Sequence, residues 1–142
     1  MFDYLNAEAK GLNWLNNEEF SEEYKKHAEK WRNQPMYKNE QEMRKLVDAI
    51  QDSNVQVVVI KAGTGTGKTV LVPKIALKSE IEQRTLNTTW KIAVTNPKTI
   101  STKKAGEYSA QLLDTTLGKE VGYIYRDSDE KAYNRKKTRL TY

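Results

Sequence analysis

The chain has 142 residues, the length of one ordinary domain, with 37% hydrophobic and 30% charged residues, a balance that suits a folded core and argues against wholesale disorder. It has no cysteine and one histidine, which excludes disulfide scaffolds, thiolate zinc sites, cysteine nucleophiles and any metal centre built on several imidazoles. Its longest strongly apolar run, Val57–Ile60, is far too short to span a bilayer, and no charged-then-apolar leader opens the chain, so no membrane partner is expected and the expected compartment is intracellular, cytoplasmic or nuclear. The net charge of +5 is unevenly spread: residues 1–54 carry 8 Lys and Arg against 11 Asp and Glu, whereas residues 55–142 carry 16 against 8. A basic second half suits a polyanionic partner such as a nucleotide or nucleic acid, and it equally suits a solubilising surface.

The opening segment, residues 1–17, carries Tyr4, Leu5, Leu12, Trp14 and Leu15 and reads as partly helical, with Gly11 as a break. Phe20, Tyr24, Ala28 and Trp31 then fall on one face of a helix over 18–32, with Asn16 and Glu19 as a capping box and Pro35 beyond its end. His27 and the glutamates of this segment read as solvated, and Trp14, Trp31 and Trp90 read as packing groups rather than base-stacking ones. Met43, Leu46, Val47 and Ile50 make the stripe of a second helix over 40–51, capped by Asn39 with Glu42.

The run Val55–Ile60 has the composition of a strand buried on both faces. A glycine-rich turn at 63–67 follows, then a helix over 68–79 in which Pro73 must kink the axis or displace one backbone bond. Further strands are expected at 91–95, 121–125 and 138–142, with a helix over 99–114 and a polar loop over 126–137. Strand and helix in alternation is the signature of an α/β fold with a parallel sheet. The loop's cluster of Lys131, Arg135, Lys136, Lys137 and Arg139 reads either as a nucleic-acid contact or nuclear signal, or as a solvated loop.

Ala62-Gly63-Thr64-Gly65-Thr66-Gly67-Lys68-Thr69 matches the phosphate-binding pattern G-x-x-x-x-G-K-[ST] at every defined position but the first, where Ala62 replaces glycine. The glycines let successive backbone N–H groups turn inward around a phosphate, and the positive end of the following helix adds to their pull. In such a loop Lys68 reaches the β- and γ-oxygens of ATP as a point charge, and the Thr69 hydroxyl takes one place on Mg²⁺. Those two residues are therefore the expected catalytic pair, with Thr69 as the metal ligand. The usual companion, an apolar strand ending in Asp-Glu, is not found after residue 69. Leu112-Leu113-Asp114 reads as a helix end instead.

Several further stretches carry a resemblance. Thr64, Gly65, Gly67, Lys68, Thr69 and Pro73, the lead-in Gln34-Pro35-Met36-Tyr37, then Thr95-Asn96-Pro97-Lys98, Leu117-Gly118-Lys119-Glu120-Val121-Gly122-Tyr123 with Arg126, and Thr138–Tyr142 stand in the order of the DEAH-box and RNA helicase A-like branch of superfamily 2 helicases. The resemblance covers residues 34–142. It implies a three-layer RecA-like P-loop fold, here a partial domain over 36–142 ending before the family's motif II, preceded by a short helical extension over 1–35. It also implies ATP-driven unwinding of RNA or DNA by a full-length protein whose remaining core would be a partner. Residues 62–69 would hold ATP, Tyr108 would stand where the family places a group on adenine, and Thr95, Lys98 and Arg126 would hold a nucleic-acid strand. Lys98-Thr99 departs from the two arginines usual in the family, which weakens one phosphate contact. The fragment itself is expected to bind ATP and hardly hydrolyse it. The alternatives from other classes are a small kinase or another P-loop enzyme, and a non-catalytic nucleic-acid-binding module.

Overall fold

The computed structural model describes residues 10–83 and 91–142; the expectations for Tyr4, Leu5 and Trp90 lie outside them. In chain order the described elements are α1 (Glu22–Arg32), α2 (Pro35–Lys38), α3 (Glu40–Gln51), α4 (Lys68–Gln83), β1 (Ile92–Ala93), α5 (Thr99–Leu112), β2 (Val121–Gly122), a 3₁₀ turn (Glu130–Ala132) and β3 (Leu140–Thr141). The sheet has the order β1-β3-β2 and both pairings are parallel, with Ile92 and Val121 opposite Leu140, and Ala93 and Gly122 opposite Thr141. The chain is α/β, with helices and a small parallel sheet as a partial RecA-like domain requires.

Two apolar clusters hold the elements together. Phe20, Tyr24, Ala28 and Trp31 pack with Tyr37, Met43, Val47, Leu71, Ile75 and Leu112 in the first. The second joins Leu77, Ala105, Ala110 and Leu113 to Val121, Tyr123, Leu140 and Tyr142 of the sheet region. Helix α4 contributes to both, so it is the shared wall between the N-terminal helices and the sheet. Inside the first cluster Lys74 is 1% exposed. Its Nζ donates to the Tyr24 hydroxyl at 3.0 Å and to the Leu112 carbonyl at 2.8 Å, and lies 3.8 Å from the centre of the Trp31 ring. Aromatic faces and oriented oxygens thus receive a cation that would be costly to bury bare.

The N-terminal segment is tied to the far end of α5 by polar groups. Asn13 is buried and its amide donates to the Leu113 carbonyl at 2.8 Å, while the Ser21 hydroxyl and N–H both donate to the Asp114 carboxylate at 2.7 Å. That contact also moves the start of α1. The Asn16–Glu19 capping box does not form; Asn16 accepts from the Glu18 N–H, and Ser21 caps the helix by accepting from the Tyr24 N–H. Residues 10–17 are not helical, and Leu12 bridges to Glu19 instead.

The largest departure from expectation is residues 55–60, which lie in no strand. Val57 and Val59 are 78% and 88% exposed, against 39% for Val58. A β-branched run becomes a strand only where a neighbour supplies the hydrogen-bond ladder, and among the described strands none pairs with it. The run lies beside α3, with which Val58, Val59 and Ile60 line a groove. The remaining elements fall where expected but shorter or longer by a few residues: α3 spans its expected range, α4 runs four residues further, α5 stops at Leu112, and the three strands keep only two residues each.

Glycine is required where backbones meet. A Cβ on Gly122 would collide with the carbonyl oxygen of Ala132 and lie 3.3 Å from the Tyr133 Cα, contacts made by backbone that cannot swing aside. Gly122→Ala should therefore cost about 1–3 kcal/mol of stability, read as a lower midpoint in urea unfolding with an unchanged slope.

Candidate functional site

The phosphate-loop pattern becomes a turn at Thr64–Thr66 that leads through Gly67 into α4. Gly65 and Gly67 hold left-handed φ values of +79° and +81°, which side chains disfavour. At Gly67 a Cβ would also sit 2.6 Å from the Leu71 Cδ1, so that the Leu71 side chain would have to shift. Gly63 has no such φ and only the Thr66 Cγ2 near it at 3.9 Å, so its freedom is not used. Ala62 likewise has no positive φ, and alanine fits there without backbone strain.

The Gly67 carbonyl accepts from the N–H groups of Val70 at 3.1 Å and Leu71 at 2.7 Å. The helix ladder therefore begins on the loop's last residue, and the amides of Lys68 and Thr69 precede it at the positive end of α4. Over the loop lies the Lys68 ammonium. It donates to the Ala62 carbonyl at 2.7 Å and the Gly63 carbonyl at 2.5 Å, and it lies 3.5 Å from the Thr66 hydroxyl. Thr66 closes the turn by donating to the Gly63 carbonyl at 2.9 Å. These are neutral acceptors, and anionic phosphate oxygens make stronger bonds to an ammonium. The loop is exposed from residue 61 to 65, so an anion can reach it. A cation held on the loop's own carbonyls, in a turn with two left-handed glycines at the start of a helix, is a donor set that fits a polyphosphate.

Beside the loop is a groove of about 410 Å³, lined on one wall by Val58, Ile60 and Ala62 and on the other by Met43, Leu46 and Ala49 of α3. The Thr69 side chain is exposed, and its carbonyl accepts from the Tyr142 hydroxyl at 3.1 Å. Among the described residues no group of three or more His, Asp or Glu side chains is placed to hold a metal, and no helix is long and apolar enough to cross a membrane.

The other expected site residues are spread over two elements and their flanks. Thr95 and Lys98 follow β1, Arg126 follows β2, and all three are exposed. Because the strands run parallel, these residues leave the sheet at the same, carboxyl edge, where ligands of open α/β sheets bind. Lys98 also ends the lead-in to α5, its carbonyl accepting from the N–H of Thr102 at 3.0 Å. Tyr108 is 45% exposed and, among the described residues, makes no hydrogen bond or ring contact with the loop.

Tyr142, Ser109 and Lys74 escape sequence reasoning, because each matters through a contact 30 or more residues away. The one signal for them was Pro73, which announces a displaced helix bond without naming its replacement.

The chain is similar to several known proteins. A protein of Acanthamoeba polyphaga mimivirus named as an ATP-dependent RNA helicase is 39% identical over 127 residues, 88% of this chain and 17% of its own length. A match of that length necessarily includes residues 62–69. The ATP-dependent RNA helicase HrpA of Borreliella burgdorferi is 33% identical over 92 residues, 65% of this chain and 10% of its own. Protein ucp12 of Schizosaccharomyces pombe, also named as an ATP-dependent RNA helicase, is 43% identical over 82 residues, 56% of this chain and 6% of its own. The chain thus spans about a sixth or less of the length of these relatives. No family model matches the chain.

Burial holds the Tyr142 phenol neutral, pushing its pKa up to about 12 against an opposing hydrogen bond from Ser109. Since the fold raises this pKa, the associated stability is complete below pH 10 and is lost as pH rises from about 10 to about 12. Relative to Tyr142→Phe, the unsubstituted protein should lose up to about 2.5 kcal/mol across that window, measured by urea unfolding at stepped pH; parallel curves would contradict a neutral, buried phenol.

Proposed function

We infer that this homologue of ATP-dependent RNA helicases is the ATP-gripping part of a DEAH-type helicase, with an N-terminal extension over 1–35 that contains α1 leading into an ATP-binding region over 36–142. The observation that carries this reading is the Lys68 ammonium, 2.7 Å from the Ala62 carbonyl and 2.5 Å from the Gly63 carbonyl, in a loop whose Gly65 and Gly67 take left-handed dihedrals just where α4 begins. The helicase names of the relatives support it.

On this reading the triphosphate tail displaces the Ala62 and Gly63 carbonyls as the partners of Lys68, and the amides from Gly63 to Thr69 close around the β-phosphate. Lys68 remains the point charge on the outer phosphate oxygens. Thr69 offers its hydroxyl to Mg²⁺, which when bound would neutralise part of the phosphate charge. Tyr108 is assigned to the adenine and Thr95, Lys98 and Arg126 to the sugar–phosphate backbone of an RNA or DNA strand along the carboxyl edge of the sheet. Residues 1–142 serve to bind and orient ATP; hydrolysis and strand separation are proposed for the whole helicase.

The test is equilibrium binding of a fluorescent ATP analogue with Mg²⁺. Lys68→Ala should weaken binding roughly tenfold to a hundredfold, from the loss of about 1.5–3 kcal/mol of charge-assisted hydrogen bonding, with unchanged far-ultraviolet circular dichroism. Equal affinity in the two proteins would overturn the assignment.

A further inference from the structure

Pro73 sits inside α4 and has no N–H, so the Thr69 carbonyl, four residues earlier, lacks the donor that an α-helix would ordinarily give it. That carbonyl belongs to the first helical turn, which opens with Lys68. The Tyr142 hydroxyl lies 3.1 Å from it and donates to it. With its one proton so used, the phenol oxygen accepts from the Ser109 hydroxyl of α5, 2.7 Å away. Tyr142 and Ser109 are 3% and 1% exposed, so water does not compete freely for either bond. The tyrosine's backbone is fixed as well: its N–H donates to the Gly122 carbonyl at 3.0 Å, and its carbonyl accepts from the Ile124 N–H at 2.8 Å. A residue clamped in the sheet therefore reaches across the second cluster and replaces the helix bond that proline removes.

We propose that Tyr142 is a positioning residue for the phosphate grip, holding the first turn of α4 through the Thr69 carbonyl and itself oriented by Ser109. This rests on the phosphate-loop reading given above. The hydroxyl of Thr69 and the stem of Lys68 ride on the turn whose carbonyl is fixed, so the tie sets how both face a polyphosphate. It also joins the loop to the strand region whose carboxyl edge carries Thr95, Lys98 and Arg126.

The pairing with Pro73 supplies a test that packing alone would fail. In the full 142-residue chain, Tyr142→Phe keeps the ring and removes the donor. Affinity for a fluorescent ATP analogue with Mg²⁺ should fall about threefold to tenfold, and the ¹³C carbonyl resonance of Thr69 should move in the protein without nucleotide. Pro73→Ala restores a backbone N–H to the same carbonyl. The double variant should return the resonance and bring affinity to within about twofold of Pro73→Ala alone. Should Pro73→Ala disturb the fold, Ser109→Ala, which removes the group that orients the phenol, is the second variant: a smaller loss of affinity with a moved Thr69 resonance is expected, and no change in either would overturn the inference. An unmoved Thr69 resonance in Tyr142→Phe, a moved resonance with unchanged affinity, or a loss that Pro73→Ala does not rescue would each overturn the inference. Unsubstituted protein that ignores Mg·ATP would instead overturn the phosphate-loop reading, and the inference with it.

Discussion

Everything in this molecule depends on how one helix, α4, is seated. Leu71 and Ile75 enter the cluster formed with α1 and α3, and Leu77 enters the cluster formed with the sheet. Each such side chain contributes about 1.5–3 kcal/mol when removed from water. A helix buried from two sides cannot tilt without opening one cluster or the other. Its N-terminal end is left at the surface, and that end carries the loop of residues 62–67. The loop has few contacts of its own and takes its position from the helix behind it. This is how an exposed, glycine-rich turn can present a cation and several amides in a set arrangement.

The polar ties follow the same logic. Lys74 joins α4 to Tyr24 and Trp31 on one side and to the end of α5 on the other. Asn13 and Ser21 fasten the N-terminal segment to Leu113 and Asp114, and Tyr142 joins α4 to the sheet. Carbonyls at helix ends or beside a proline have no ladder partner, and in three of these places a side chain distant in sequence supplies the donor. The N-terminal helices are thereby packed against the same wall that supports the loop.

Local signals were legible where local physics decides. The Met43–Ile50 stripe and the Asn39 cap located α3 to the residue, because a cap and a 3.6-residue period act within one element. The phosphate loop was legible for the same reason, although its glycines are not equal: Gly65 and Gly67 need their left-handed dihedrals and Gly63 does not. The start of α1 is not legible locally, because Asp114 holds Ser21 from 93 residues away. The state of Val55–Ile60 is not legible either, because β-branched composition expresses a capacity to pack and a strand exists only with a paired neighbour. Pro73 announced a missing helix bond, and only the folded chain shows which hydroxyl replaces it.

The claim beneath all of this is that the loop grips phosphate rather than a base or a sugar. Calorimetric titration of the 142-residue chain with Mg²⁺ and, in turn, ATP, ADP, AMP, adenosine and inorganic tripolyphosphate tests it most directly. ATP, ADP and tripolyphosphate should bind, with AMP weaker by at least tenfold and adenosine silent. Adenosine binding as tightly as ATP, or no heat from any polyphosphate, would contradict it.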